Sequence, residues 1–239
     1  MGDYITITLA AGSFQAFVER PATRPAPVVV VLHEVFGVNQ DIHATCRELA
    51  ERGFLAIAPD LFWRQEPGIA LSSWTEAEWQ KGVALYLAYD RDLGAADIAG
   101  VIDFARTMPD ASGKVGVMGY CLGGLMTFLV TARHDADASV AYYPGSAEQY
   151  AQEAANVRTP MIVHLAEADE FISLEAQDII RNTFAGRPMV ETYSYPGCSH
   201  AFARHTGIHF DAGAASLANG RTWQFLREHL GFAPDARDV

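Results

Sequence analysis

Apolar and polar positions alternate at the start of the chain and then stop alternating. Ile5, Ile7 and Leu9, followed after Ala11, Gly12 and Ser13 by Phe14, Ala16 and Val18, keep the period of two that predicts an edge β-hairpin. Past the Pro-rich connector RPATRPAP come nearly unbroken apolar or β-branched runs: VVVVL at 28–32, FLAIAPD at 54–60, KVGVMG at 114–119, ASVAYYP at 138–144, PMIVHLA at 160–166 and ETYSYPG at 191–197. A strand that is apolar on both faces is buried on both, so these runs predict an α/β class with a mostly parallel sheet covered by helices. Between them the spacing turns helical. Ile42, Cys46 and Leu49 share one face behind Asp41 as the expected cap, with Gly53 as the stop, and segments 94–107, 122–133, 173–184 and 214–230 also read as helices. The stretch 62–92 is the least regular, and its tryptophans Trp63, Trp74 and Trp79 suggest a cap or one wall of a pocket.

Composition narrows this picture without changing it. Half of the 239 residues are hydrophobic and 19% are charged, enough for one large core, so a single domain over 1–239 is expected. A formal net charge of −12 repels nucleic acid and anionic membrane surfaces, so neither is an expected partner. The N-terminus has no basic segment ahead of an apolar core, and no apolar run approaches the roughly 18 residues of a membrane span, so a cytoplasmic location is expected. Cys46, Cys121 and Cys198 are odd in number and lack metal-ligand spacing, which predicts free thiols. His205 and His209 lie four apart, but Gly207 between them weakens a helix, and no metal site is expected.

The segment KVGVMGYCLGGLMTFLV, residues 114–130, is a strand, a tight turn and an apolar helix. Glycines flank Cys121 at 119 and 123, as in a nucleophile elbow, whose strained backbone leaves no room for side chains on either side. At the helix N-terminus the partial positive charge favours a thiolate, and the N–H of Leu122 points at an oxyanion formed on the attacked carbon. Elbow folds supply an acid and then a histidine after later strands. EADEF follows PMIVHLA and offers Glu167, Asp169 and Glu170, of which Asp169 is the expected acid with Glu167 left open; CSHAF follows ETYSYPG and offers His200. The acid would orient the imidazole, and His200 would carry protons.

In chain order, HEVFGVN at 33–39, GYCLGG at 119–124, EADEF around Asp169 and CSHAFAR at 198–204 resemble the motifs of the dienelactone hydrolases, or carboxymethylenebutenolidases, and the similarity runs through nearly the whole chain. The resemblance implies an α/β-hydrolase fold without metal or organic cofactor, and a triad of Cys121, His200 and Asp169. It implies too that Glu34 helps deprotonate the thiol as substrate enters, that the Val35 N–H is the second oxyanion donor, and that Arg204 binds a substrate carboxylate while balancing Glu34. The family's other arginine has no counterpart here: Trp79 stands at the aligned position, with Lys81 two residues on. Phe36 and Phe202 are the expected walls for a flat substrate, with Tyr86, Tyr142 and His33 as further candidate lining residues.

Cysteine in place of serine has a chemical consequence. A tetrahedral intermediate expels its better leaving group, and a thiol of pKa about 8.5 leaves far more readily than an alkoxide whose conjugate acid is near water's, about 15.7. Enol-lactones and aryl esters, which release an enolate or phenolate, are the matched substrates. The expected function is therefore a cysteine hydrolase of small, possibly anionic, lactones or activated esters, acting as a monomer or small homo-oligomer. A general arylesterase or promiscuous phosphotriesterase on the same triad, and a non-hydrolytic ligand-binding or thiol-sensing relative, are the alternatives.

Overall fold

Eight strands hydrogen-bond into one sheet in the order β1-β2-β4-β3-β5-β6-β7-β8. They are β1 (Asp3–Leu9), β2 (Gly12–Glu19), β3 (Ala26–Leu32), β4 (Leu55–Pro59), β5 (Ala111–Tyr120), β6 (Ala138–Tyr142), β7 (Met161–Ala166) and β8 (Val190–Tyr195). The molecule is seen as a computed structural model that describes residues 2–72 and 75–231; Trp74, one of the three tryptophans expected at a pocket wall, lies outside them. β1 and β2 form the expected edge hairpin, with Leu9 opposite Gly12, and β2 runs antiparallel to β4. From β4 to β8 every pairing is parallel. This is the α/β-hydrolase fold. The interior strands β3, β4, β6 and β7 are buried at every position, which is why they read as unbroken apolar runs.

The helices are α1 (Gln40–Glu51), α2 (Glu76–Ala88), α3 (Arg91–Arg106), α4 (Leu122–Arg133), α5 (Leu174–Phe184) and α6 (Ala212–Leu230), with a 3-10 stretch at Ala147–Asn156. α1 and α6 meet where the Arg52 guanidinium lies over the Trp223 ring, and α4 meets α5 through Phe128 and Phe184. α4 is buried from Leu122 through Ala132, so its apolar residues run all around it. No helix among the described residues is long and apolar enough to cross a membrane.

Two local expectations are corrected. The cap of α1 is Asn39, whose side chain accepts from the N–H groups of Asp41 and Ile42, leaving Asp41 in the first turn. The irregular stretch 62–92 contains a full helix, α2. Its start carries a capping-box spacing, with the Thr75 hydroxyl accepting from the Glu78 N–H at 3.2 Å. That signal is present in the sequence, but only Gly82 and Leu85 of α2 are buried, so no apolar stripe marks it.

One polar chain crosses the core between the last strands and α6. His164 Nδ1 bonds the Tyr195 hydroxyl at 2.8 Å and its Nε2 bonds Thr222 Oγ1 at 3.0 Å; Thr222 also meets the Tyr142 hydroxyl at 2.7 Å. Full burial, with nearby Arg221 adding to it, pushes His164 down to about 3. The unfolded chain binds a proton at this ring near pH 6.5 while the folded one refuses it. The stabilising contribution is therefore complete above that pH and is lost as pH falls from about 6.5 toward about 3. Between about pH 7 and about pH 5 this ring alone should cost the fold about 2 kcal/mol. Urea midpoints measured across that interval should fall steeply for the natural chain and much less for His164→Gln; equal slopes would reject the assignment.

Candidate active site

β5 ends and α4 begins within one residue, Cys121, whose backbone sits at φ 55°, ψ −112°, in the left-handed half of the map that non-glycine residues rarely occupy. The strain is held by close packing. A Cβ on Gly119 would lie 2.2 Å from Gly123 O, one on Gly123 would lie 2.2 Å from Leu32 O, and one on Gly124 would lie 2.4 Å from Tyr142 O. Strand, turn and helix thus touch backbone to backbone, and the Cys121 N–H donates to Tyr142 O at 3.1 Å. The thiol is partly exposed on a cavity wall, whereas Cys46 and Cys198 are buried elsewhere, and all three are free. As the first residue of α4, Leu122 carries an N–H without an intrahelical acceptor.

The loops after β7 and β8 bring the other expected groups to the same wall. His200 Nδ1 lies 2.7 Å from Asp169 Oδ2, and the Asp169 carboxylate is fully shielded. The other oxygen of Asp169 accepts from the N–H groups of Phe171 and Ile172, so the carboxylate is locked by its own turn. Glu167, the alternative acid, is exposed and makes no such contact. A second clamp was not foreseen. Glu170 accepts from the His200 N–H at 3.1 Å, and His209 Nδ1 bonds both His200 O and Glu170, each at 3.0 Å. His200 is buried, and its Nε2 has no conventional hydrogen-bond partner. Burial opposes charge on this ring, yet the Cys121 sulfur on one side and Asp169 on the other outweigh it and hold His200 well above the ordinary histidine range.

Glu34 is buried beside this pair. Its Oε2 accepts from Arg204 Nη1 at 3.2 Å, while Oε1 has no hydrogen-bond partner. Arg204 spends its Nε on Thr206 O at 2.9 Å and lays its guanidinium 5.3 Å from the centre of the Phe36 ring.

These groups open on a cavity of about 720 Å³. Of the residues expected there, Cys121, His200, Glu34, Val35, Arg204, Phe36, Trp79 and Tyr86 line it; the Asp169 carboxylate sits behind His200. α2 reaches this wall because Gly82 passes so close to Val35 that a Cβ would lie 2.9 Å from Val35 O. Five expectations are corrected. Tyr142 is fully buried, its hydroxyl turned to Asn219 and Thr222 of α6. Phe202 is fully buried between Tyr195 and Tyr143, below His200. Lys81 leans out to Glu66 at 2.6 Å, and Trp63 stacks on Phe14, away from the cavity. His33 is buried and neutral, accepting from the Leu61 N–H at 3.0 Å and bonding Glu34 O, so it holds the Glu34 loop rather than lining the cavity. Val83, Leu87, Phe171, Ile208 and His209 line the cavity unforeseen, because they come from α2 and from loops whose approach only the fold brings about. His205 and His209 have separate partners, Thr45 and Glu170, and among the described residues no three His, Cys, Asp or Glu side chains gather as a metal site.

Known proteins resemble this chain in sequence and in fold. The sequence profile of the Dienelactone hydrolase family matches residues 14–230. The carboxymethylenebutenolidase of Pseudomonas putida is 37% identical over 214 residues, covering 90% of this chain and 91% of that protein. Carboxymethylenebutenolidase 1 of Cupriavidus pinatubonensis is 35% identical over 227 residues, covering 95% and 97% respectively. Among solved structures, a dienelactone hydrolase-like promiscuous phosphotriesterase from metagenomic libraries superposes with a TM-score of 0.79 at 20% identity, covering 97% of this chain and 99% of that one, a likeness of fold.

The elbow's glycines carry a direct stability prediction. Gly123→Ala forces backbone against backbone and should lower the thermal midpoint by about 6–12 °C, the equivalent of about 3 kcal/mol, or prevent folding. Gly145→Ala, with nothing within 4 Å of the added carbon, should stay within about 2 °C in the same melting scan. Equal melting of the two variants would contradict the packing argument.

Proposed function

The chain belongs to the dienelactone hydrolase family and is a hydrolase of that type; we propose that it cleaves enol-lactones and activated enol or aryl esters through an acyl-enzyme on Cys121. One observation carries this reading: the unbonded, buried Nε2 of His200 faces the same cavity as the partly exposed sulfur of Cys121, with Asp169 fixing the far side of the ring.

On this reading Glu34 takes the thiol proton as substrate enters, and the thiolate attacks the acyl carbon. The N–H groups of Leu122 and Val35 stabilise the oxyanion. His200 gives its proton to the departing enolate or phenolate oxygen as the C–O bond breaks, leaving a thioester and a neutral ring. That ring then takes a proton from water, the hydroxide adds to the thioester, and the C–S bond breaks; Glu34 returns its proton to the sulfur. The net change is ester plus water to acid plus alcohol. The free Oε1 of Glu34 supports its role as a base, and the Arg204 contact supports a resting state in which the carboxylate is held back. Val35 is positioned by Gly82 and the His33 anchor on either side of its loop, which supports its N–H as a donor.

Mass spectrometry of protein quenched during turnover of an aryl acetate should find the acetyl group on Cys121; its absence from that residue would overturn the reading. Aryl acetates should be hydrolysed at least about 100-fold faster than ethyl acetate, since roughly three or more kcal/mol separate the two leaving groups. Comparable rates would remove the leaving-group argument. Glu34→Gln should slow the acylation burst at least about 10-fold, within the range of a lost general base, and an unchanged burst would exclude Glu34 from that role.

A further inference from the structure

His200 stands on a long connection. Between Tyr195 at the end of β8 and Ala212 at the start of α6 the chain runs through turns and bends, with no helix or strand ladder to hold a side chain in place. Asp169 fixes the ring at Nδ1, but a ring held at one nitrogen can still pivot about that bond. Its aim therefore depends on the backbone beneath it. The next residue, Ala201, sits at φ 64°, a left-handed conformation that a Cβ disfavours, so this backbone needs outside contacts to keep its course.

Two side chains supply them. Glu170, in the loop after β7, accepts from the His200 N–H at 3.1 Å, and His209 Nδ1 donates to the His200 carbonyl oxygen at 3.0 Å. A third contact closes the ring of bonds, from His209 Nδ1 to Glu170 Oε1 at 3.0 Å. Both partners of that nitrogen are acceptors, so Nδ1 carries the hydrogen and donates whether the imidazole is neutral or charged. The peptide groups on either side of His200 are thus both tied to one linked pair. Neither side chain belongs to the core: Glu170 is 37% exposed and His209 32%.

Resting on the cysteine-hydrolase reading above, we infer that Glu170 and His209 are positioning residues for the reaction: by bonding both peptide groups of His200 they hold its imidazole so that Nε2 points at the Cys121 sulfur and the departing oxygen. Their part runs through His200 alone. Burial opposes charge on that ring, and Cys121 is the strongest of the groups that outweigh it, with Asp169 next. A ring that swings away from the sulfur loses the larger share of this support and releases its proton at lower pH. The acid that serves the leaving oxygen then vanishes from the alkaline side of the rate profile. The other titratable groups around the ring are Tyr143 and, across the cavity, the Glu34 and Arg204 pair, and replacing His209 removes none of them and no negative charge.

The test uses the whole chain and three variants: His209→Ala, Glu170→Ala, and His209→Asn, whose side-chain amide N–H replaces the Nδ1 donor. Each alanine variant should lower kcat/KM for phenyl acetate at least about 10-fold, as a small misplacement of a catalytic group does. The loss should be smaller for p-nitrophenyl acetate, whose phenolate departs with little need of a proton. In His209→Ala the NMR titration midpoint of His200 should drop by about one pH unit or more, and the alkaline limb of kcat/KM for phenyl acetate should move down with it. His209→Asn should recover kcat/KM to within about threefold of the natural chain. Thermal midpoints within about 6 °C of the natural chain identify the variants that keep the fold, and His209→Asn against His209→Ala is the deciding pair. Equal losses on the two esters, an unmoved His200 titration, or no recovery in His209→Asn overturns the inference, while an acetyl group on Cys121 of the natural chain leaves the hydrolase reading standing. If no ester acylates Cys121, that reading falls, and the His200 titration still decides whether the pair aims the ring.

Discussion

A backbone contact, rather than a side chain, governs this molecule. Gly123 at the start of α4 lies so close to Leu32 O at the end of β3 that no other residue fits, and Gly119 and Gly124 make similar approaches to Gly123 O and Tyr142 O. Those contacts force the chain through a turn too tight for right-handed backbone angles, and Cys121 takes φ 55° as a result. The sulfur is thereby lifted out of a fully buried strand and helix onto a cavity wall, at the end of the helix where backbone N–H groups are unsatisfied. A residue of the same type two positions earlier or later would be sealed in the core.

Everything brought to meet that sulfur is held by polar contacts that the surrounding apolar packing makes strong. Asp169 fixes one ring nitrogen of His200, and Glu170 and His209 hold its backbone from both sides. His33 ties the Glu34 carbonyl and the Leu61 amide together, which steadies the loop bearing Glu34 and Val35. His164 performs the analogous task farther from the site, joining β7 and β8 to α6 through Tyr195 and Thr222. The three buried histidines differ in charge because their neighbours differ. His200 has the Cys121 sulfur on one side and Asp169 on the other and is held high, whereas burial dominates for His33 and His164 and holds them low.

The cavity combines a charged floor with a hydrocarbon wall. Arg204 and Glu34 pair with one another beside the Phe36 ring, so the charge at this floor is kept local. α2 supplies much of the opposite side, and its helical turns alternate between packing inward through Gly82 and Leu85 and presenting Trp79, Val83 and Tyr86 to the cavity. That division explains why the helix lacks an apolar stripe: a cavity counts as neither core nor solvent in a hydrophobic pattern.

By itself the sequence determined the sheet, most of the helices and the groups that meet on the cavity wall. Parallel strands buried on both faces must be apolar throughout, so β3 to β7 are legible as runs; the span of α4 agrees with its reading at 122–133; and the elbow is legible because only glycine tolerates its contacts. The order of Cys121, Asp169 and His200 follows strand ends and could be read off the chain. Tertiary structure alone decided which acid faces the ring, because both carboxylates stand in one short segment and the turn there aims Asp169 at His200. It also decided between neighbours such as Tyr142 and Tyr143. Tyr143 leaves the strand at φ 35° and packs its ring 4.8 Å from His200, while Tyr142 turns to α6. The same holds for the cavity wall, where Phe171, Ile208 and Leu87 arrive from three separate segments. Local pattern records whether a residue is covered, but which partner covers it depends on contacts between segments far apart in the chain.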